Sequence, residues 1–131
     1  MNVLVTGAKG QLGSEMNGLK ERYSNLNFSF AGSDTIDICN YELVQNYVLQ
    51  NKIDAIINCA AYTAVDKAED HKELACNVNS KGVYNLVKSM EKVGGKIIHI
   101  STDYVFDGNS FMPYKEDDKV NPLGVYGNTK Y

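Results

Sequence analysis

Cysteine and histidine are scarce in this 131-residue sequence, which has three of the first and two of the second. Cys39, Cys59 and Cys76 are too few and too irregularly placed for a disulfide framework, and read as reduced structural thiols. With only His71 and His99 to join them, metal-ligand spacing is absent, and no metal site is expected. Long apolar runs are missing too. None approaches the roughly 20 residues a transmembrane helix needs, and residues 1–5 run straight into a motif without a signal-peptide pattern. Basic charge is not in surplus: 13 Lys and Arg stand against 16 Asp and Glu, a net charge of -3. That balance gives neither nucleic acid nor an anionic membrane a reason to bind. No internal repeat or low-complexity tract occurs. The expectation is a cytoplasmic chain.

The sequence is otherwise ordinary for a globular protein, with 44% hydrophobic and 22% charged residues. Its length suits one domain with its own core. Residues 2–6 (NVLVT) form a β-branched run ending at Gly7, after which Leu12, Met16, Leu19 and Tyr23 recur at helical spacing. A second strand is predicted over 28–31, and a second helix with Leu43, Val44, Tyr47 and Val48 on its inner face. Residues 53–59 (IDAIINC) read as a strand buried on both faces. Asp66 offers an N-cap, with Glu69 completing a capping box. A long helix then carries Ala75, Val78, Gly82, Val83, Leu86, Val87 and Met90, until Gly94 and Gly95 stop it. Residues 96–101 (KIIHIS) form a fourth strand, followed by a loop rich in Gly, Pro, Asn and Asp. Alternating strands and helices predict a doubly wound parallel α/β sheet, Rossmann-like, in the order 2-1-3-4. The ligand crevice should lie between strands one and three.

Between the first strand and first helix stands TGAKGQLGSE, with Gly7, Gly10 and Gly13 spaced G-x-x-G-x-x-G. A sharp turn there brings backbone close to a pyrophosphate, and the free N–H groups of the helix start favour an anion. The pattern alone is weak evidence, but its place between strand and helix points to dinucleotide binding. Lys9 within the loop could pair with an adenosine 2′-phosphate, or be only a solvated lysine. An acid at the end of strand two, expected about 20 residues on for NAD, is missing at Ala31, Gly32 and Ser33; Asp34 comes late. Both observations favour NADPH, with NADH the alternative.

The fourth strand ends in STDYVFDG, and the sequence closes on VYGNTKY. Tyr126 and Lys130, four apart, fall on one helical face. Together with a hydroxyl from Ser101 or Thr102 they make a carbonyl-reducing set. As hydride reaches a carbonyl carbon, the oxygen gains charge and needs a proton. A free tyrosine has a pKa of about 10, and a nearby cation brings a phenol closer to neutrality. Lys130 can supply that charge and bond a nicotinamide ribose.

These residues resemble those of the extended short-chain dehydrogenase/reductases and, within them, of the dTDP-4-dehydrorhamnose reductase family. The resemblance rests on TGAKGQLG, CAAYTAVDKAE, STDYVFDG and NPLGVYGNTK, and covers nearly every residue. It implies that Gly10, Gln11 and Leu12 line the pyrophosphate and that Asp37 and Ile38 border the adenine. Ala61, Tyr62 and Thr63 would border the ribose and nicotinamide. Thr102 would be the catalytic hydroxyl with Asp103 beside the substrate, Tyr126 the general acid and Lys130 its partner. Glu15 matches a glutamate that helps bind magnesium in some members, but its co-ligands have no counterpart here.

The implied reaction is NAD(P)H-dependent reduction of the 4-keto group of dTDP-4-dehydro-L-rhamnose to dTDP-L-rhamnose. Two other readings stand beside it: a non-catalytic NADP-binding regulatory subunit of the same family, and another extended nucleotide-sugar reductase or epimerase. Members of the family are about twice as long. Residues 1–131 are therefore expected to be an incomplete dinucleotide-binding domain, cut inside the helix bearing Tyr126 and Lys130 and lacking the substrate lobe. The form as it stands is expected to be inactive, with self-association through the face the missing half would cover.

Overall fold

The computed structural model describes all of residues 1–131. The valine-rich run at Asn2–Thr6 forms β1, and it pairs in parallel with β2 (Asn27–Ala31) on one side and β3 (Ala55–Asn58) on the other. β4 (Lys96–His99) adds to β3, giving the order β2-β1-β3-β4 predicted from the alternation of elements. Register aligns Leu4 with Ile56 and Ile56 with Ile97, and one pleat further on Thr6 with Asn58 and Asn58 with His99. These residues share one face of the sheet, because side chains alternate along a strand.

That face carries the core. Leu4, Ile56, Leu86 and Met90 are almost fully buried there, with Val44 and Val48 from α2 (Tyr41–Gln50). Leu86 and Met90 come from α5 (Val83–Val93), which stops where predicted, at Gly94 in the left-handed conformation. The inner face of α2 differs by one residue from expectation. Leu43 is exposed and Gln45 is buried, because the N-cap at Asn40, whose side chain accepts the Leu43 N–H, sets the helix phase.

The opposite face is only partly covered. α1 (Gln11–Leu19) lies on it, with Met16 Sδ 3.9 Å from Cys59 Sγ, and buries Val3 and Val5. Ile57 is half-buried, while Ile98 is 57% exposed. The prediction of a third strand buried on both faces is therefore corrected: the sheet has a helix layer on one side and a single helix on the other. The apolar stripe of helix one has the same fate. Leu12, Leu19 and Tyr23 are exposed, and the helix gives way to a 3₁₀ turn at Lys20–Arg22.

One further expectation fails. The capping box at Asp66 is absent: the short helix α3 (Val65–Ala68) starts at Ala64 with no side-chain cap. The long helix holds from Lys72 to Val93, with one irregularity inside it. α4 (Lys72–Cys76) passes into a π-helical stretch at Asn77–Gly82 before α5 begins. A π-bulge of this kind often accompanies a functional site. Here it turns Asn79 inward. No helix is long and apolar enough to cross a membrane.

Candidate active site

The turn after β1 is built from its glycines. Gly7 has φ +65°, and a Cβ there would lie 2.5 Å from the Ala60 nitrogen. At Gly13 a Cβ would sit 2.4 Å from the Gly7 carbonyl. Neither position can hold a side chain, so the chain folds tightly enough for Gly10 to donate its N–H to Gly7 O at 2.9 Å and to cap α1. The start of α1, at Gly10, Gln11 and Leu12, borders a cavity, and the first N–H groups of a helix have no partner within it.

Two adjoining cavities run over the carboxyl ends of the strands. The first, about 300 Å³, lies between the ends of β1 and β2, with Lys9, Gly32, Asp37, Ile38 and Val78 in its wall. Its lining is mostly apolar, which suits a flat heterocycle. The second, about 530 Å³, is bordered by Gln11, Leu12, Thr63, Ser101, Tyr126 and Lys130. Gly10, Cys59, Ala60 and Ala61 belong to both. The glycine loop and the Tyr126–Lys130 pair thus meet across one continuous crevice at the β1/β3 switch point.

The pair stands on α6 (Val125–Lys130). Tyr126 packs edge-on against Tyr104, with ring centroids 5.6 Å apart. Lys130 is buried, and its Nζ donates to the Ile100 carbonyl at 2.5 Å. Burial holds the Lys130 ammonium below the usual lysine range. Buried Asn79 ties this helix to the loop after β3. Its Nδ2 donates to Thr129 Oγ1 at 3.0 Å and to the Tyr62 carbonyl at 3.1 Å, and its Oδ1 accepts the Tyr62 N–H. The Ser80 hydroxyl adds a bond to the Thr129 carbonyl.

The remaining expected residues divide. Asp37 and Ile38 border the first cavity, Asp37 also accepting the Cys39 N–H. Ala61 and Thr63 border the second, but the Tyr62 hydroxyl turns away to His71 at 3.1 Å. Thr102 Oγ1 accepts the Tyr104 N–H and donates to Asp103 Oδ1, capping a 3₁₀ turn at Asp103–Val105. At this strand end Ser101 is the residue that lines the crevice. Lys9 is not a free cation: its Nζ lies 3.0 Å from Asp34 Oδ2, and that ion pair is largely exposed.

Sequence reasoning missed Asn79, His99 and the bond that Glu69 makes to α6. A signal existed for Asn79, a polar residue at a position where the helical period asks for an apolar one. His99 likewise shares the parity of Ile97 on the inward face of its strand.

In sequence and fold the chain is similar to known reductases. A dTDP-4-dehydrorhamnose reductase of Escherichia coli K12 is 43% identical over 132 residues, covering 99% of this chain and 44% of the relative. The crystal structure of such a reductase from Clostridium acetobutylicum superposes with a TM-score of 0.94 at 44% identity, covering 99% of this chain and 46% of that one. One from Bacillus anthracis, solved in complex with NADP, gives 0.92 at 38% identity, covering 99% and 46%. The chain thus spans less than half the length of these relatives. The sequence matches the family described as RmlD substrate binding domain over residues 1–131, and the chain belongs to that family.

Proposed function

We propose that this chain is the cofactor-binding portion of an NADPH-dependent reductase acting on the 4-keto group of dTDP-4-dehydro-L-rhamnose. The observation that carries the proposal is the crevice itself, where a side-chain-free glycine turn and the Tyr126–Lys130 pair border adjoining cavities. NADPH, when bound, supplies the hydride. Gly7, Gly10 and Gly13 leave room for its pyrophosphate against the start of α1, and Gln11 and Leu12 flank it. Asp37 and Ile38 border the adenine, and Lys9 meets the 2′-phosphate. Ala61 and Thr63 stand beside the ribose and nicotinamide.

The chain's own chemistry is proton transfer and orientation. Tyr126 gives its phenolic proton to the oxygen that gains charge as the carbonyl is reduced. The Lys130 cation stabilises the phenolate left behind. Thr102 orients the substrate oxygen, with Asp103 beside the sugar. The intact Thr102, Tyr126 and Lys130 set argues against a non-catalytic regulatory role. We place the activity in the cytoplasm, with a dTDP-sugar as the small-molecule partner of the longer protein.

Saturable NADPH binding by residues 1–131, followed by fluorescence, tests the cofactor assignment. NADPH consumption with dTDP-4-dehydro-L-rhamnose, in a protein of the relatives' full length, tests the reaction. No NADPH binding by either form would overturn the reading. The open sheet face around Ile98 and Ile100 favours self-association of the 131-residue form, through apolar surface left uncovered. A sizing measurement that finds only monomer would refute this.

A further inference from the structure

One hydrogen-bonded row crosses the sheet from β1 to α6, and none of the sequence motifs explains it. Thr6 Oγ1 donates to Asn58 Oδ1 at 2.5 Å, and the Ala60 N–H donates to the same oxygen at 3.2 Å. These two donors fix the buried Asn58 amide, so that Nδ2 faces the other way and lies 3.0 Å from His99 Nδ1. An amide NH₂ can only donate. The Nδ1 atom of neutral His99 is therefore the acceptor, and the ring proton resides on Nε2. That nitrogen lies 3.4 Å from Lys130 Nζ. An ammonium is also donor-only, so a charged Lys130 faces an N–H rather than a lone pair.

We infer that His99 is a positioning residue for Lys130: locked by Asn58 with its proton on Nε2, it turns the lysine hydrogens away from the imidazole. They are directed to the Ile100 carbonyl, which already accepts one, and to the crevice bordered by Tyr126. The same N–H can donate to a neutral Lys130 amine but not to an ammonium, so it lowers the lysine's proton affinity while leaving the hydrogens of the cation free for the phenol and the cofactor. Burial first, and then the Lys130 charge, push His99 below its ordinary range and keep the imidazole neutral. The other groups around the pair do not replace this contact. Glu15 on α1, Cys59 after β3 and Tyr126 on α6 border the cavity without bonding either side chain. Of the charged residues on the elements that pack against α6, Glu69 is engaged by the Val125 N–H and Asp103 by Thr102. Asp66, Lys67, Lys72, Glu73 and, on the π-helical stretch, Lys81 make no bond to the pair.

The inference deepens the proposed function, because it rests on Lys130 being the lysine that serves the phenol and the cofactor. Its test is nonetheless separate. ¹⁵N NMR of the His99 ring in the 131-residue chain, above pH 7, should show the Nε2–H tautomer. Finding the proton on Nδ1 would overturn the inference without touching the NADPH assignment, which a binding titration on the same sample reads independently. The second measurement is the Lys130 titration, followed through its side-chain nitrogen in wild type and in His99→Gln. A glutamine can turn its carbonyl oxygen to the ammonium, so the Lys130 midpoint should rise by about one pH unit. An unchanged or lower midpoint would show that His99 does not act on Lys130. Should His99→Gln fail to fold, the tautomer in the wild-type chain still decides the matter.

Discussion

The Glu69 carboxylate accepts the Val125 N–H at 2.7 Å, so a side chain from 56 residues earlier closes the start of the helix that carries Tyr126 and Lys130. The helix needs such help. It has six residues, its N-cap is Gly124, and a glycine offers no capping oxygen. Space for the carboxylate exists because of that same glycine: a Cβ at Gly124 would sit 3.1 Å from Glu69 Oε1. A negative group at a helix start also meets the favourable end of the helix dipole.

Replacing Glu69 with alanine should therefore loosen α6. The expected cost is about 1 kcal/mol, the usual worth of a cap, and Glu69→Gln should recover most of it because the amide keeps an acceptor oxygen. Denaturant unfolding of the three proteins measures this. Equal stability of Glu69→Ala and wild type would show that the helix is held by its other contacts alone.

The strands, their order and the crevice were legible in the sequence because they depend on local patterns. NVLVT can pack only in a sheet interior, and Gly7 and Gly13 sit where no Cβ fits. Glu69 shows why the rest was not legible. The spacing Asp66-x-x-Glu69 satisfies a capping box, yet the carboxylate accepts the first N–H of a helix far along the chain. Thr102 and Ser101 are adjacent, and only the fold decides which of them turns to the crevice. In the sequence Asp34 comes late for a ribose contact; the turn after β2 carries it back over Gly32 to Lys9.

That pairing refines the expected cofactor preference. Lys9→Ala should weaken NADPH binding more than NADH binding, because only the former has a 2′-phosphate to lose. Asp34→Asn should act the other way, since the carboxylate competes for Lys9 and its proton affinity is lowered mainly by that lysine. Both effects should shrink at high salt, as expected for an exposed pair. Equal losses for both cofactors in Lys9→Ala would remove the role given to Lys9.

The loop before α6 should respond to acid through Asp107. Its carboxylate accepts the Asn109 N–H, Asn121 Nδ2 and the Tyr114 hydroxyl, which lowers its pKa from 3.8 to about 2. A depressed folded-state pKa means that the contribution is present above the unfolded value and is lost as pH falls toward the folded one. The loop should thus stay ordered down to about pH 4 and loosen between there and about pH 2. Amide exchange at Asn109 against pH follows this directly. In Asp107→Asn the transition should vanish; its persistence would assign it to another group.

The final prediction separates the two hydroxyls at the end of β4, and it requires a protein of the relatives' full length. Tyr126→Phe should first establish the baseline. Loss of a positioned proton donor costs roughly 10²–10⁴-fold in turnover, while NADPH affinity should hold because no phosphate contact changes. Unchanged kcat would move the general acid elsewhere. Thr102→Val then removes the hydroxyl proposed to orient the substrate, and with it the cap on the Asp103–Val105 turn, so Thr102→Ser serves as the control that keeps both. Ser101→Ala removes the hydroxyl of the residue that borders the crevice in this structure. If Thr102 carries the role, Thr102→Val should lose turnover, Thr102→Ser should restore it, and Ser101→Ala should stay near wild type. For that to happen, the Thr102 hydroxyl must leave Asp103 and face the carbonyl when substrate binds. The opposite pattern, with Ser101→Ala the impaired variant, would leave Thr102 as a cap and pass the orienting role to its neighbour.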